Sequence, residues 1–164
     1  MLTRPLGTLD ASSLAIVGTD AQRVERVTTV VVVDDDPDYL WVVRFILESG
    51  PDKTAIVGEA GSGEEALALV LHKHPDIVIV DLMMPRLNGL DLTRRIKQER
   101  PQTKILMMSA YTEDTYRRLA SVSGADGFVN KNLIQTALVP AIREIMVRTP
   151  STLHEPPPSS SQPA

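Results

Sequence analysis

The chain has no cysteine and few aromatic residues, with one Trp, three Tyr and two Phe in 164 positions. Without thiols, disulfides and thiolate metal sites are excluded, and a reducing compartment is suited. With 4% aromatic residues, the core has to come from Val, Ile, Leu, Ala and Met. No apolar run approaches the roughly 20 residues of a membrane-spanning helix. The longest near the amino terminus, Leu14 to Gly18, is preceded by Asp10 and is too short for a signal-peptide core. A formal net charge of −4 gives no support to a nucleic-acid-binding surface. These exclusions lead to the expectation of a soluble, cytoplasmic protein with no membrane contact.

What is present is a regular alternation between two disordered-looking ends. Residues 1–27 mix Thr, Ser, Gly and Asp without a sustained period and are expected to form a flexible extension with a short helical turn around Asp20 to Val27. Residues 149–164 include Pro156-Pro157-Pro158-Ser159-Ser160-Ser161, too little apolar surface to order a segment. Between them, residues 28–148 read as a single domain. Thr29 to Val33 is a β-branched run, the mark of a buried strand. Pro37 then suits a first helical turn, and Leu40, Val43, Ile46 and Leu47 recur at helical spacing before Ser49-Gly50-Pro51.

Thr54 to Glu59 predicts a second strand, and Ser62 with Glu65 a capping box opening a second helix. Strands at Asp76 to Val80, Lys104 to Met108 and Gly127 to Asn130 alternate with three further helices. The first of these carries Leu90, Leu92 and Ile96; the next is capped by Thr112 and ended by Gly124; the last runs from about Leu133 to Val147. Five β-α units imply an α/β fold, a doubly wound, parallel five-stranded sheet with helices on both faces. In such a sheet a ligand belongs at the carboxyl ends of the strands, near the switch in strand order.

That edge is where the chemistry collects. Asp34 and Asp35 follow the first strand, Asp81 the third, Ser109 the fourth, and Lys131 the fifth. Asp81 lies on the strand expected to neighbour the first. Carboxylates this close repel, so one titrates high or the group holds a cation. Mg2+ suits such a site because it accepts one or two carboxylates and keeps several waters. A carboxylate beside Mg2+ can act as a nucleophile toward phosphorus, a lysine can neutralise the transferred oxygens, and a hydroxyl can bond one of them. Any one acidic turn alone would read as a solvated helix lead-in; the matching strand ends decide for a site.

The stretches Val31-Val32-Val33-Asp34-Asp35-Asp36-Pro37, Pro75-Asp76-Ile77-Val78-Ile79-Val80-Asp81-Leu82-Met83-Met84-Pro85 and Asn88-Gly89 carry a resemblance. So do Met108-Ser109-Ala110-Tyr111 and Gly124-Ala125-Asp126-Gly127-Phe128-Val129-Asn130-Lys131. In this order they resemble a two-component response-regulator receiver domain, of flavodoxin-like fold, over residues 28–148. The resemblance implies that Asp81 takes a phosphoryl group from the phosphohistidine of a sensor histidine kinase or a phosphotransfer protein. It implies that Asp34, Asp35, Asp81 and the Met83 carbonyl bind Mg2+, and that Lys131 pairs with the phosphate. Ser109 would be the switch hydroxyl and Phe128 the switch aromatic. Met83 and Tyr111 would flank the phosphoryl group and affect its lifetime, in a direction the sequence leaves open. A downstream protein partner is implied without being identified, and a homodimer is compatible with the pattern.

Two rivals share these residues. Asp34-Asp35-Asp36 after a strand also satisfies the Asp-x-Asp pattern of a haloacid-dehalogenase-like phosphatase, with Asp34 as nucleophile and Asp36 as general acid; no acidic pair follows Lys131, and Asp81 would have no role. The second rival is a receiver of a helix-turn-helix DNA-binding regulator without its effector part. Because only the Pro/Ser tail follows Val147, a stand-alone, non-enzymatic receiver acting through protein contacts is preferred. His72 and His74, at a helix end, are read as dipole partners, Arg94, Arg95, Lys97 and Arg100 as a solvated face, and Trp41 as a packing or interface residue.

Overall fold

The computed structural model describes residues 26–111 and 113–148. The expectations for residues 1–25, for Thr112 as a helix cap and for the Pro/Ser tail lie outside the described residues. The elements follow the order β1 (Thr28–Val33), α1 (Pro37–Ser49), β2 (Thr54–Ala60), α2 (Gly63–Lys73), β3 (Ile77–Asp81), α3 (Gly89–Glu99), β4 (Lys104–Ser109), α4 (Asp114–Val122), β5 (Gly127–Asn130) and α5 (Ile134–Val147). A 3-10 turn, Lys131–Leu133, joins β5 to α5.

The strands form one sheet in the order β2-β1-β3-β4-β5, and every pairing is parallel. This is the doubly wound arrangement expected from the alternation, with the order reversing between β1 and β3. Strand pleating divides the apolar runs between two cores. Val31, Val33, Val78, Val80, Ile105 and Met107 face α2, α3 and α4, while Val30, Val32, Ile77, Ile79, Leu106 and Met108 face α1 and α5. Each such aliphatic side chain is fully buried, worth roughly 1.5–3 kcal/mol in transfer free energy. Continuous apolar runs are required because both sheet faces are covered.

Local signals set the helix ends. Asp36 caps α1, its carboxylate accepting from the Asp38 N–H, with Pro37 in the first turn. Ser62 accepts from the Glu65 N–H, and the Glu65 carboxylate accepts in turn from the Gly61 N–H, one residue before the usual capping-box partner. Glu113 precedes α4 without a side-chain cap bond, and α4 ends where Gly124 turns to φ +98°, a conformation that favours glycine. The last helix runs through Pro140 without stopping. Pro140 lies on its exposed side, while Ile134, Leu138, Ile142 and Ile145 anchor the opposite side in the core.

The basic stretch on α3 is only partly solvated, which corrects the expectation. Arg94 and Arg95 are exposed, but the Lys97 ammonium turns inward to Asp126 at 2.7 Å and to the Thr103 carbonyl at 2.8 Å. Asp126 also accepts from the Ile105 N–H, which ties α3 to the start of β4. Trp41 is exposed and stacks on Phe45, with ring centroids 5.5 Å apart. Among the described residues, no helix is long and apolar enough to cross a membrane.

Candidate functional site

β1 and β3 are register neighbours through Val33 and Val80, so the residues that follow them meet at the carboxyl edge. One carboxylate oxygen each from Asp34, Asp35 and Asp81 lies within 4.8 Å of the others. Asp34 and Asp81 are buried, at 1% and 5% exposure, and Asp35 is exposed. The expectation that both Asp34 and Asp35 reach the rim therefore holds, with unequal burial. Asp36 stands outside the cluster, committed to capping α1.

Lys131 enters from the end of β5 and, among the described residues, is the cation paired with Asp34 and Asp81. Its ammonium is 2.5 Å from Asp34 Oδ2 and 3.3 Å from Asp81 Oδ1. Asp34 also accepts from the Asp36 N–H at 3.0 Å. Burial raises the Asp34 pKa above the usual carboxylate value despite these partners. Burial likewise lifts Asp81 to about 6, with Lys131 opposing and Asp34 adding to the rise, and a backbone hydrogen bond from Met83 also opposing it. Three carboxylates beside one ammonium are under-neutralised, and all the donors are hard oxygens. The set fits a small divalent cation such as Mg2+.

Ser109 is fully buried at the end of β4, and its Oγ accepts from the Tyr111 N–H at 3.0 Å. Phe128 pairs in register with Met107, two residues before Ser109, so ring and hydroxyl share the α4 side of the sheet. The ring is half-buried beneath the Arg117 guanidinium, 5.0 Å from its centroid. Met83 and Tyr111 are both about half exposed beside the site, and Tyr111 packs on Tyr116.

One member escaped the sequence reading. Tyr39, in the first turn of α1, donates its hydroxyl to the Lys131 carbonyl at 2.7 Å, and its ring lies 4.1 Å from the Lys131 ammonium. Burial, then Asp34 and Asp81, push the phenol up to about 12, so it stays a donor. Its position next to the capped start of α1 was the only available signal.

Residues 30–143 match the family model described as response regulator receiver domain. The chain is 37% identical over 117 residues to the transcriptional activator protein ExaE of Pseudomonas putida, covering 71% of this chain and 54% of that protein. It is 42% identical over 115 residues to a protein-glutamate methylesterase/protein-glutamine glutaminase of Symbiobacterium thermophilum, covering 68% of this chain and 31% of that one. The fold is similar to the signal receiver domain of the response regulator NarL from Mycobacterium tuberculosis. There the TM-score is 0.70 at 30% identity, over 75% of this chain and 99% of the other. The chain spans about half the length of the first transcriptional regulators it matches.

Proposed function

The chain belongs to the response regulator receiver domain family, and from that premise we propose that it is a cytoplasmic, Mg2+-dependent phosphoacceptor switch whose acceptor is Asp81. The observation that carries this reading is the juxtaposition of Asp81 with two further carboxylates and the Lys131 ammonium at one sheet edge. The donor would be the phosphohistidine of a sensor histidine kinase or a phosphotransfer protein. An Asp81 carboxylate oxygen forms the new O–P bond as the P–N bond breaks, and the imidazole departs with that electron pair. With its pKa near 6, Asp81 is mostly ionised at neutral pH, the form the attack needs.

Asp34, Asp35 and Asp81, with the Met83 carbonyl, would hold Mg2+. Bound there, the ion supplies positive charge to the acceptor and to the incoming phosphoryl oxygens. Lys131 adds a point charge on the same oxygens. Ser109 then leaves the Tyr111 N–H to bond the phosphate, and Phe128 turns into the space beside it. Phosphorylation would thereby bias a two-state face between β4 and β5 toward a protein partner.

The test is phosphorylation of the full chain with acetyl phosphate and Mg2+, followed by mapping of the acyl phosphate. Label on Asp81, absent from Asp81→Asn, is expected. Label on Asp34 would transfer the nucleophile to the phosphatase reading. A second reading of the output, as the receiver of a DNA-binding regulator, is favoured by the names and lengths of its relatives. Specific retardation of a DNA duplex by the purified chain would support DNA contact by this chain itself.

A further inference from the structure

We infer that Tyr39 is a positioning residue for Lys131, holding the lysine backbone through its hydroxyl and the ammonium against its ring. The inference rests on the phosphoacceptor reading of the site. The two contacts grip one residue at both ends, at its backbone carbonyl and at its ammonium. The Tyr39 hydroxyl donates to the Lys131 carbonyl at 2.7 Å across 92 residues of sequence, and the Lys131 ammonium lies 4.1 Å from the ring centroid.

A lysine needs such a seat more than most side chains do. Its ammonium rides on a flexible four-carbon stem and makes point-charge rather than forked contacts. Here it has to stand between two acceptors, Asp34 at 2.5 Å and Asp81 at 3.3 Å. The ring presents its negative face to the ammonium and removes water from that side, leaving the carboxylates as the remaining strong partners. The hydroxyl fixes the carbonyl at the first residue of the 3-10 turn after β5, so the stem starts from a set point. Leucine would keep an apolar side chain without either contact, phenylalanine would keep the ring alone, and tyrosine supplies both.

Tyr39 also packs against the α1–α5 core, so the alternative is a purely structural role. A double-mutant cycle separates the two. Tyr39→Phe and Tyr39→Leu are made in the full chain and again in a Lys131→Ala background. Acyl phosphate formation on Asp81 is followed with acetyl phosphate and Mg2+, and melting curves confirm folding. Tyr39→Leu should slow labelling by about 3- to 10-fold, the range of one partly desolvated cation–π contact, with Tyr39→Phe falling between it and wild type. In the Lys131→Ala background, neither substitution should slow labelling further.

Equal slowing in both backgrounds would overturn the inference in favour of core packing, and so would full activity of folded Tyr39→Leu. A readout without phosphorylation keeps the two readings distinguishable. The ring should shift the Lys131 ε-methylene resonances upfield in the wild-type chain, and Tyr39→Leu should abolish that shift. A wild-type chain never labelled at Asp81 would refute the phosphoacceptor reading, and the NMR shift would then decide the seat alone. An unshifted wild-type resonance would overturn it.

Discussion

The Lys131 ammonium lies closer to Asp34 than to Asp81, 2.5 Å against 3.3 Å, so the lysine serves first the carboxylate other than the proposed acceptor. It is an internal counter-ion for a set that Mg2+ would also neutralise. Removing it leaves buried Asp34 and Asp81 uncompensated, a loss of roughly 3–5 kcal/mol for a buried pair. Lys131→Ala should therefore melt well below wild type in EDTA. Its gain in melting temperature on adding millimolar Mg2+ should exceed that of wild type, because an ion stabilises the folded state more the more tightly the site holds it. Equal gains in the two proteins would contradict the counter-ion role.

The raised pKa of Asp81 sets a pH dependence of known sign. The folded state keeps this proton up to about pH 6, whereas the unfolded chain loses it near 3.8. Between those values the folded state binds more protons, so metal-free stability falls as pH rises through the window. Above it the cost stays. Asp81→Asn removes that cost and should be more stable than wild type at pH 7.5 in EDTA, by about 1–2 kcal/mol. The advantage should shrink toward pH 4. Asp34 is raised in the same direction, so some slope should persist in the variant. Denaturant titrations across this range check both points, and a variant no more stable than wild type at pH 7.5 would refute the burial account.

The alternation of elements was legible because each boundary carries a local chemical signal. β-branched runs mark β1 and β3, an apolar run marks β4, Pro37 and Ser62 open helices, and Gly124 closes one through its left-handed turn. The meeting of Asp34 with Asp81 followed from the strand order that a doubly wound sheet imposes. Contacts between distant elements carried no such signal. The grip of Tyr39 on Lys131 spans 92 residues. Lys97 read as solvent-facing within a basic stretch because its partner Asp126 lies 29 residues away. How the lysine divides itself between two carboxylates is a matter of tenths of an ångström, beyond any periodicity.

Gly89 opens α3 directly against the end of β3. A Cβ built there would lie 2.3 Å from the Asp81 carbonyl oxygen and 2.9 Å from the Leu82 Cα. Both are backbone atoms, so no side chain can swing away to relieve the clash. Gly89→Ala should destabilise by at least the roughly 1–3 kcal/mol typical of overpacking. It should also slow phosphorylation more than its effect on folding explains, because the loop moved out of the way follows Asp81 itself. Denaturant midpoints beside labelling rates test this; wild-type stability in the variant would show that the close approach is not required.

The Arg117 guanidinium, 5.0 Å above the Phe128 ring, holds the proposed switch aromatic from the solvent side. Turning the ring inward beside Ser109 breaks that contact, so Arg117 favours the unphosphorylated arrangement by the roughly 0.5–1 kcal/mol of an exposed cation–π pair. A shift of that size changes the ratio of the two states by about 2- to 5-fold, since 1.36 kcal/mol is tenfold. The chain has two phenylalanines, Phe45 and Phe128, so fluorophenylalanine labelling gives two 19F resonances, assigned by Phe45→Leu. In Arg117→Ala the Phe128 resonance should move toward its phosphorylated position before any donor is added, while Phe45 stays in place. A Phe128 resonance unmoved by the substitution, yet still responsive to acetyl phosphate, would leave the ring as the switch and remove Arg117 from it.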